Sequence, residues 1–77
     1  MNLKEKLEKW RKLEEEARKM RESEADWEFI RKQRPRVRAA LEYYIVTGDI
    51  RTSAKIASMN IEEFRILLRK AKIPVVV

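Results

Sequence analysis

The chain has 77 residues, 42% of them charged, a formal net charge of +6, and neither cysteine nor histidine. That length allows one small core, marginal without further support, and the missing residue types exclude disulfides, imidazole and thiolate catalysis and the usual zinc sites. No apolar run is long enough to span a membrane, and Met1-Asn-Leu-Lys-Glu-Lys6 has no signal-peptide apolar core, so a cytoplasmic protein is expected.

From Asn2 to about Arg34 there is neither glycine nor proline. Leu3, Trp10 and Ala17 recur every seven residues, as do Leu13, Met20 and Trp27. With Leu3 at heptad position a, the a and d sites through Trp27 are apolar except for Lys6 and Glu24. A seven-residue repeat favours a left-handed supercoil with a partner helix. Leu3, Trp10, Leu13, Ala17, Met20 and Trp27 are therefore predicted to hold a homodimer. Glu5→Lys9, Glu8→Lys12, Glu14→Arg18, Glu15→Lys19 and Glu28→Lys32 each set an acid four residues before a base, which supports an exposed helix. A continuous helix to Arg34 would be about 48 Å long at 1.5 Å per residue, too long to bury its stripe on a small head. Ser23-Glu-Ala-Asp26 offers a second N-cap, where the helix would instead break and restart towards Trp27. The unbroken helix is the favoured expectation. A helix merely solvated on its own domain would expose two tryptophans on one stripe, which is costly.

Pro35 suits the first turn of a new helix. Val37, Ala40, Leu41, Tyr44 and Ile45 give its apolar face. Gly48, the single glycine, falls where a C-terminal cap needs positive φ. Asp49 or Thr52 can cap the next helix, expected to reach about Ser58, with Ala54 and Ala57 allowing close approach to a neighbour. Met59 fills a turn. Asn60 and Glu63 then form a capping box for a last helix over 61–72, whose stripe is Phe64, Leu67, Leu68 and Ala71. Pro74 ends it, and Val75-Val-Val77 is an apolar tail, tucked on the head or open to pairing. Two short helices joined by a tight turn are the signature of a helix-turn-helix.

Gln33-Arg-Pro-Arg-Val-Arg38, Ala40, Tyr44, Gly48-Asp-Ile50, Ser53-Ala54, Ile56-Ala57, Glu63-Phe64, Leu67-Leu68 and Ile73-Pro-Val75 carry a resemblance. Over about residues 33–75 they resemble a helix-turn-helix family of small prokaryotic antitoxins associated with PIN-domain-type nuclease toxins. The shared marks are the Arg-Pro entry and the closing Glu-Phe, Leu-Leu and Ile-Pro-Val stretch. The resemblance implies DNA binding together with binding of a toxin protein. Ser58 stands at the turn position where that family has glycine, so a strained or differently shaped backbone is expected there.

With Phe64, Leu67, Leu68 and Ala71 turned inward, the last helix presents Glu62, Arg65, Ile66 and Arg69. Arg65 and Arg69 could reach phosphates or guanine edges, and Ile66 a thymine methyl or a partner protein. Glu62 and Glu63 oppose approach to a negative groove, and the alternative is a solvated face with Glu62 paired to Arg65. A second cluster, Arg31, Lys32, Arg34, Arg36 and Arg38, holds five bases in eight residues with no acid. Residues 1–34 carry 11 bases and 9 acids, and residues 35–77 carry 8 and 4, so the excess charge sits on the junction and the head. Phosphate backbone suits such a density; solvation or an acidic protein is the alternative.

Catalysis has no constellation to work with. Glu62 and Glu63 are adjacent on a helix and point apart, Thr52, Ser53 and Lys55 read as a cap and a surface base, and there is no glycine-rich phosphate loop. The expectation is an all-α non-enzyme with no cofactor and no metal: a coiled-coil dimerisation helix over 1–34 and a three-helix helix-turn-helix domain over 35–77. Double-stranded DNA, a second copy and a toxin protein are its expected partners, no membrane is, and transcriptional regulation is its expected role.

Overall fold

The structure, a computed structural model, describes residues 2–75; Met1 lies outside them, as do Val76 and Val77 of the apolar tail. Asn2 accepts the Glu5 amide at 2.9 Å and opens helix α1, Leu3–Glu24. The expected unbroken helix to Arg34 does not form. Ala25 turns extended (φ −60, ψ 139), and Asp26 caps a short second helix, α2, Trp27–Arg31, by accepting the Phe29 amide at 3.1 Å. Ser23 caps nothing; its hydroxyl donates to the Met20 carbonyl inside α1. The break has a tertiary cause. The Asp26 amide donates to the Ala71 carbonyl at 2.7 Å, and Ala25 and Ile30 are buried against the head.

Pro35 begins α3, Pro35–Thr47, which ends on Gly48 at φ 71 with the Gly48 amide on the Tyr44 carbonyl. Asp49, not Thr52, caps α4, Ile50–Ile56, which stops two residues short of the expected Ser58. Ser58 is left-handed at φ 56, and the Met59 amide closes back on the Ala54 carbonyl at 2.9 Å, the C-terminal closure that leaves no amide unpaired in the turn. The capping box of Asn60 and Glu63 opens α5, Ile61–Lys70. Lys72, expected inside this helix, is instead left-handed at φ 57, and the Ile73 amide bonds the Leu68 carbonyl. All five helices are α, and no strand occurs among the described residues.

Ile30, Leu41, Ile45, Phe64 and Leu68 are completely or almost completely buried and form the centre of the core. Tyr44 meets Phe64 edge to face with ring centroids 6.2 Å apart. Ala40, Ala54, Ala57 and Ala71 are the small residues that let α3, α4 and α5 pack closely. The core thus draws on residues either side of Pro35. The molecule measures 45 × 23 × 19 Å, and every α1 residue up to Glu16 is exposed.

Candidate nucleic-acid interface

The last helix is oriented by its inner side. Phe64, Leu68 and Ala71 are fully buried, and Leu67 is half-buried beside them. This leaves Glu62, Arg65, Ile66, Arg69 and Lys70 exposed, with Ile66 at 54%. The two acids differ in what they do. Glu63 accepts the Asn60 amide at 3.2 Å and belongs to the cap, whereas Glu62 stays on the exposed face. The alternative pairing of Glu62 with Arg65 is not among the ion pairs of the described residues.

Arg65 and Arg69 do not stand alone. They line a shallow cavity of about 400 Å³ together with Ile73, Pro74 and Val75, so the chain's exit from α5 runs beside the arginine pair. Arg65 is also close enough to Tyr44 to act on it. Burial pushes the Tyr44 hydroxyl above its ordinary pKa, and the charges of Arg21 and Arg65 pull it part of the way back.

The basic run from Arg31 to Arg38 is less uniform than its sequence. Arg31 and Arg34 are exposed, and Arg38 is half-buried. Lys32 pairs with Glu28 at 3.4 Å, the one expected acid–base pair that forms among the described residues. Arg36 donates from Nε to the Ile56 carbonyl at 2.8 Å and so satisfies the end of α4. That side chain joins two helices and is only in part available to a ligand.

Two basic residues were placed at no site by sequence reasoning, which read Lys55 only as a surface base. Arg51 and Lys55, one turn apart on α4 and exposed, line an open groove with Met59, Ile61 and Glu62 where α4 meets α5. Their four-residue spacing, opposite the inward Ala54 and Ala57, was the available signal. Arg21 is the third omission. It is 8% exposed, its Nε donates to the Ile45 carbonyl at 2.9 Å, and its guanidinium lies 5.8 Å from the Tyr44 ring centroid. Nothing in a run of alternating acids and bases distinguishes it.

The six residues predicted to dimerise are divided by the break. Leu3, Trp10, Leu13 and Met20 lie on α1 and are 51–72% exposed, and Ala17 is half-buried. Trp27 sits on α2, and its indole donates to the Glu22 carbonyl at 2.9 Å, so it does not continue the stripe. Leu7, at 50%, adds to the exposed apolar surface of α1. No three acidic side chains gather as a metal set, and no helix is long and apolar enough to cross a membrane, among the described residues.

These features define a small all-α protein with basic, partly apolar surfaces on its head and an uncovered apolar stripe on its first helix. No protein-family model matches the chain, and no curated protein or solved structure is detectably similar to it.

Proposed function

We propose that this protein is a cytoplasmic, non-enzymatic DNA-binding protein of the helix-turn-helix kind, which pairs through α1 and acts as a transcriptional regulator. The motif would be α4, the turn at 57–60 and α5, with α5 as the helix that enters the major groove. One observation carries the reading. Arg65 and Arg69 stand one turn apart on the exposed side of a helix whose other side is anchored by Phe64, Leu68 and Ala71. Ile66 between them offers an apolar contact to a thymine methyl. Arg31, Arg34, Arg38, Arg51 and Lys55 then supply phosphate contacts, in keeping with the net charge of +6; Lys32 and Arg36 contribute after their present partners.

A second reading is an antitoxin module that neutralises a nuclease toxin. It is favoured by the cavity in which Arg65 and Arg69 meet Ile73, Pro74 and Val75, a mixed basic and apolar surface that suits an acidic, apolar peptide of a partner protein. Selection of duplexes from a random pool, followed by a mobility assay across salt concentrations, separates the two. Binding that weakens with salt by roughly 0.9 log units per log unit for each phosphate contact supports the first reading. No duplex binding at low salt removes it and leaves the toxin partner to be sought.

A further inference from the structure

Along its length helix α1 buries only Arg21, with Ala25 buried just after its end and Ala17 half-buried. The turns before them bury nothing. Leu3, Leu7, Trp10, Leu13 and Met20 are 50–72% exposed there, and a helix with so much uncovered apolar surface depends on a partner for its stability. We propose that this surface pairs with the same surface of a second copy in antiparallel orientation, in the register that sets Trp10 against the partner's Leu13. The inference rests on the homodimer reading above and adds orientation and register to it.

Heptad positions choose the orientation. The same antiparallel register sets Leu3 against the partner's Met20, and Lys6, the polar residue at a d site, against the partner's Ala17. Over so small a residue the lysine stem can lie flat and keep its ammonium in water. A parallel pair in register instead sets Lys6 on Lys6 and Trp10 on Trp10 along the seam. Like charges facing each other there are destabilising. On the flank, Lys9 meets the partner's Glu16 on both sides of the antiparallel pair, an arrangement of opposite charges at g positions. Arg21, which would answer Glu16 in a parallel pair, is already bound to the Ile45 carbonyl of its own head.

The heads give an independent reason. Residues 35–77 carry 8 bases and 4 acids, and a parallel coil would gather two such heads at one end. In the antiparallel register the two Arg21 anchors are about 29 Å apart, at 1.5 Å per residue. That is comparable with the roughly 34–36 Å between half-sites one helical turn apart on duplex DNA.

The absence of cysteine makes a clean test possible. Leu3→Cys and Met20→Cys chains, each oxidised alone and then as a mixture, report the orientation directly. The mixture is expected to give a disulfide-linked dimer and neither chain alone to do so, since two Leu3 positions are then about 26 Å apart. Linkage of Leu3→Cys with itself means a parallel coil and overturns the proposal while leaving the homodimer. Lys9→Glu should weaken self-association at least tenfold, and adding Glu16→Lys should restore it; restoration does not follow from a parallel pair. Sedimentation of the unaltered chain as a monomer at tens of micromolar overturns both the orientation and the homodimer, and assigns the stripe to a different protein. None of these measurements involves DNA, so their outcome is independent of whether the head binds it.

Discussion

Arg21 brings a positive charge into a site where it is 8% exposed and has no ion-pair partner among the described residues. What holds it is the end of α3. The Ile45 carbonyl it bonds is one of those a helix leaves unsatisfied at its C-terminus, where the helix also carries partial negative charge. Gly48 belongs to the same contact. Its φ of 71 strains any other residue, and a Cβ there would approach the Arg21 Nη1 to 3.1 Å. Arg21→Ala should lower unfolding stability by about 1.5–3 kcal/mol, the usual worth of a hydrogen bond to a charged group. Gly48→Ala should cost about 1–2 kcal/mol for the left-handed backbone alone. Urea denaturation checks both, and near wild-type midpoints would mean that α1 is not docked through this arginine. Ser58 is the converse case. It holds φ 56 with a side chain attached, so Ser58→Gly should be neutral or stabilising by up to about 1 kcal/mol. A clear loss of stability would show that residue 58 adopts ordinary helical geometry in solution.

Among the elements, the caps were the most legible. Asn60 with Glu63, and Gly48, do what their residue types and neighbours imply, because a cap is settled within four residues of chain; Asp49 was one of two candidates, and Asn2 went unread. Asp49 also makes α4 sensitive to acid. Its carboxylate accepts the Thr52 hydroxyl at 2.7 Å and the Thr52 amide at 3.1 Å, which hold its pKa below the ordinary value. A carboxylate whose pKa is depressed on folding stabilises the fold above its unfolded pKa, about 3.9, and that contribution fades as pH falls through the folded value. Helicity should therefore decline on acidification below about pH 4, and Asp49→Asn, which keeps a capping oxygen, should reduce the decline. An unchanged acid limb in circular dichroism would dissociate Asp49 from it. The end of α1 was not legible in the same way. Ser23 and Asp26 are both good capping residues, and only the distant Ala71 carbonyl selects Asp26. The surface pairs failed for a related reason. Of the five acid-to-base pairs on the first two helices, Glu28–Lys32 forms, while Arg18 turns to Glu22 at 3.7 Å. Pairs this exposed are worth too little to fix a side chain.

For the molecule as a whole, the question is which surfaces are left for partners. The core is closed by α2 to α5, and what remains is an apolar stripe on α1 and bases around the head. If α1 pairs, melting temperature should rise with protein concentration, and Leu13→Glu with Met20→Glu should abolish that dependence and lower stability. A concentration-independent melt of the unaltered chain would count against pairing. For the proposed DNA contact, Arg31→Ala with Arg34→Ala should weaken binding to all duplexes and flatten the salt slope by about two contacts. Arg69→Ala should instead narrow the gap between a selected site and random DNA, by about 1–3 kcal/mol if it reads a base edge. Equal losses on both kinds of DNA would make Arg69 a phosphate contact. Arg36 is the residue to leave intact, since its removal would also release the end of α4.

By itself the sequence determined the all-α class, the starts of α3 and α5, the left-handed Gly48, and the inward set Leu41, Ile45, Phe64 and Leu68, and it narrowed the start of α4 to two candidates. These follow from periodicity and from hydrogen bonds that close within a turn or two of chain. Tertiary structure alone decided that α1 stops at Glu24, that Arg21 is buried, that Arg36 is tied to α4, and that the exit past Ile73 lies beside Arg65 and Arg69. In each case the deciding contact is with a residue far along the chain. A buried arginine and a solvated one are the same letter until the carbonyl that meets it is in place.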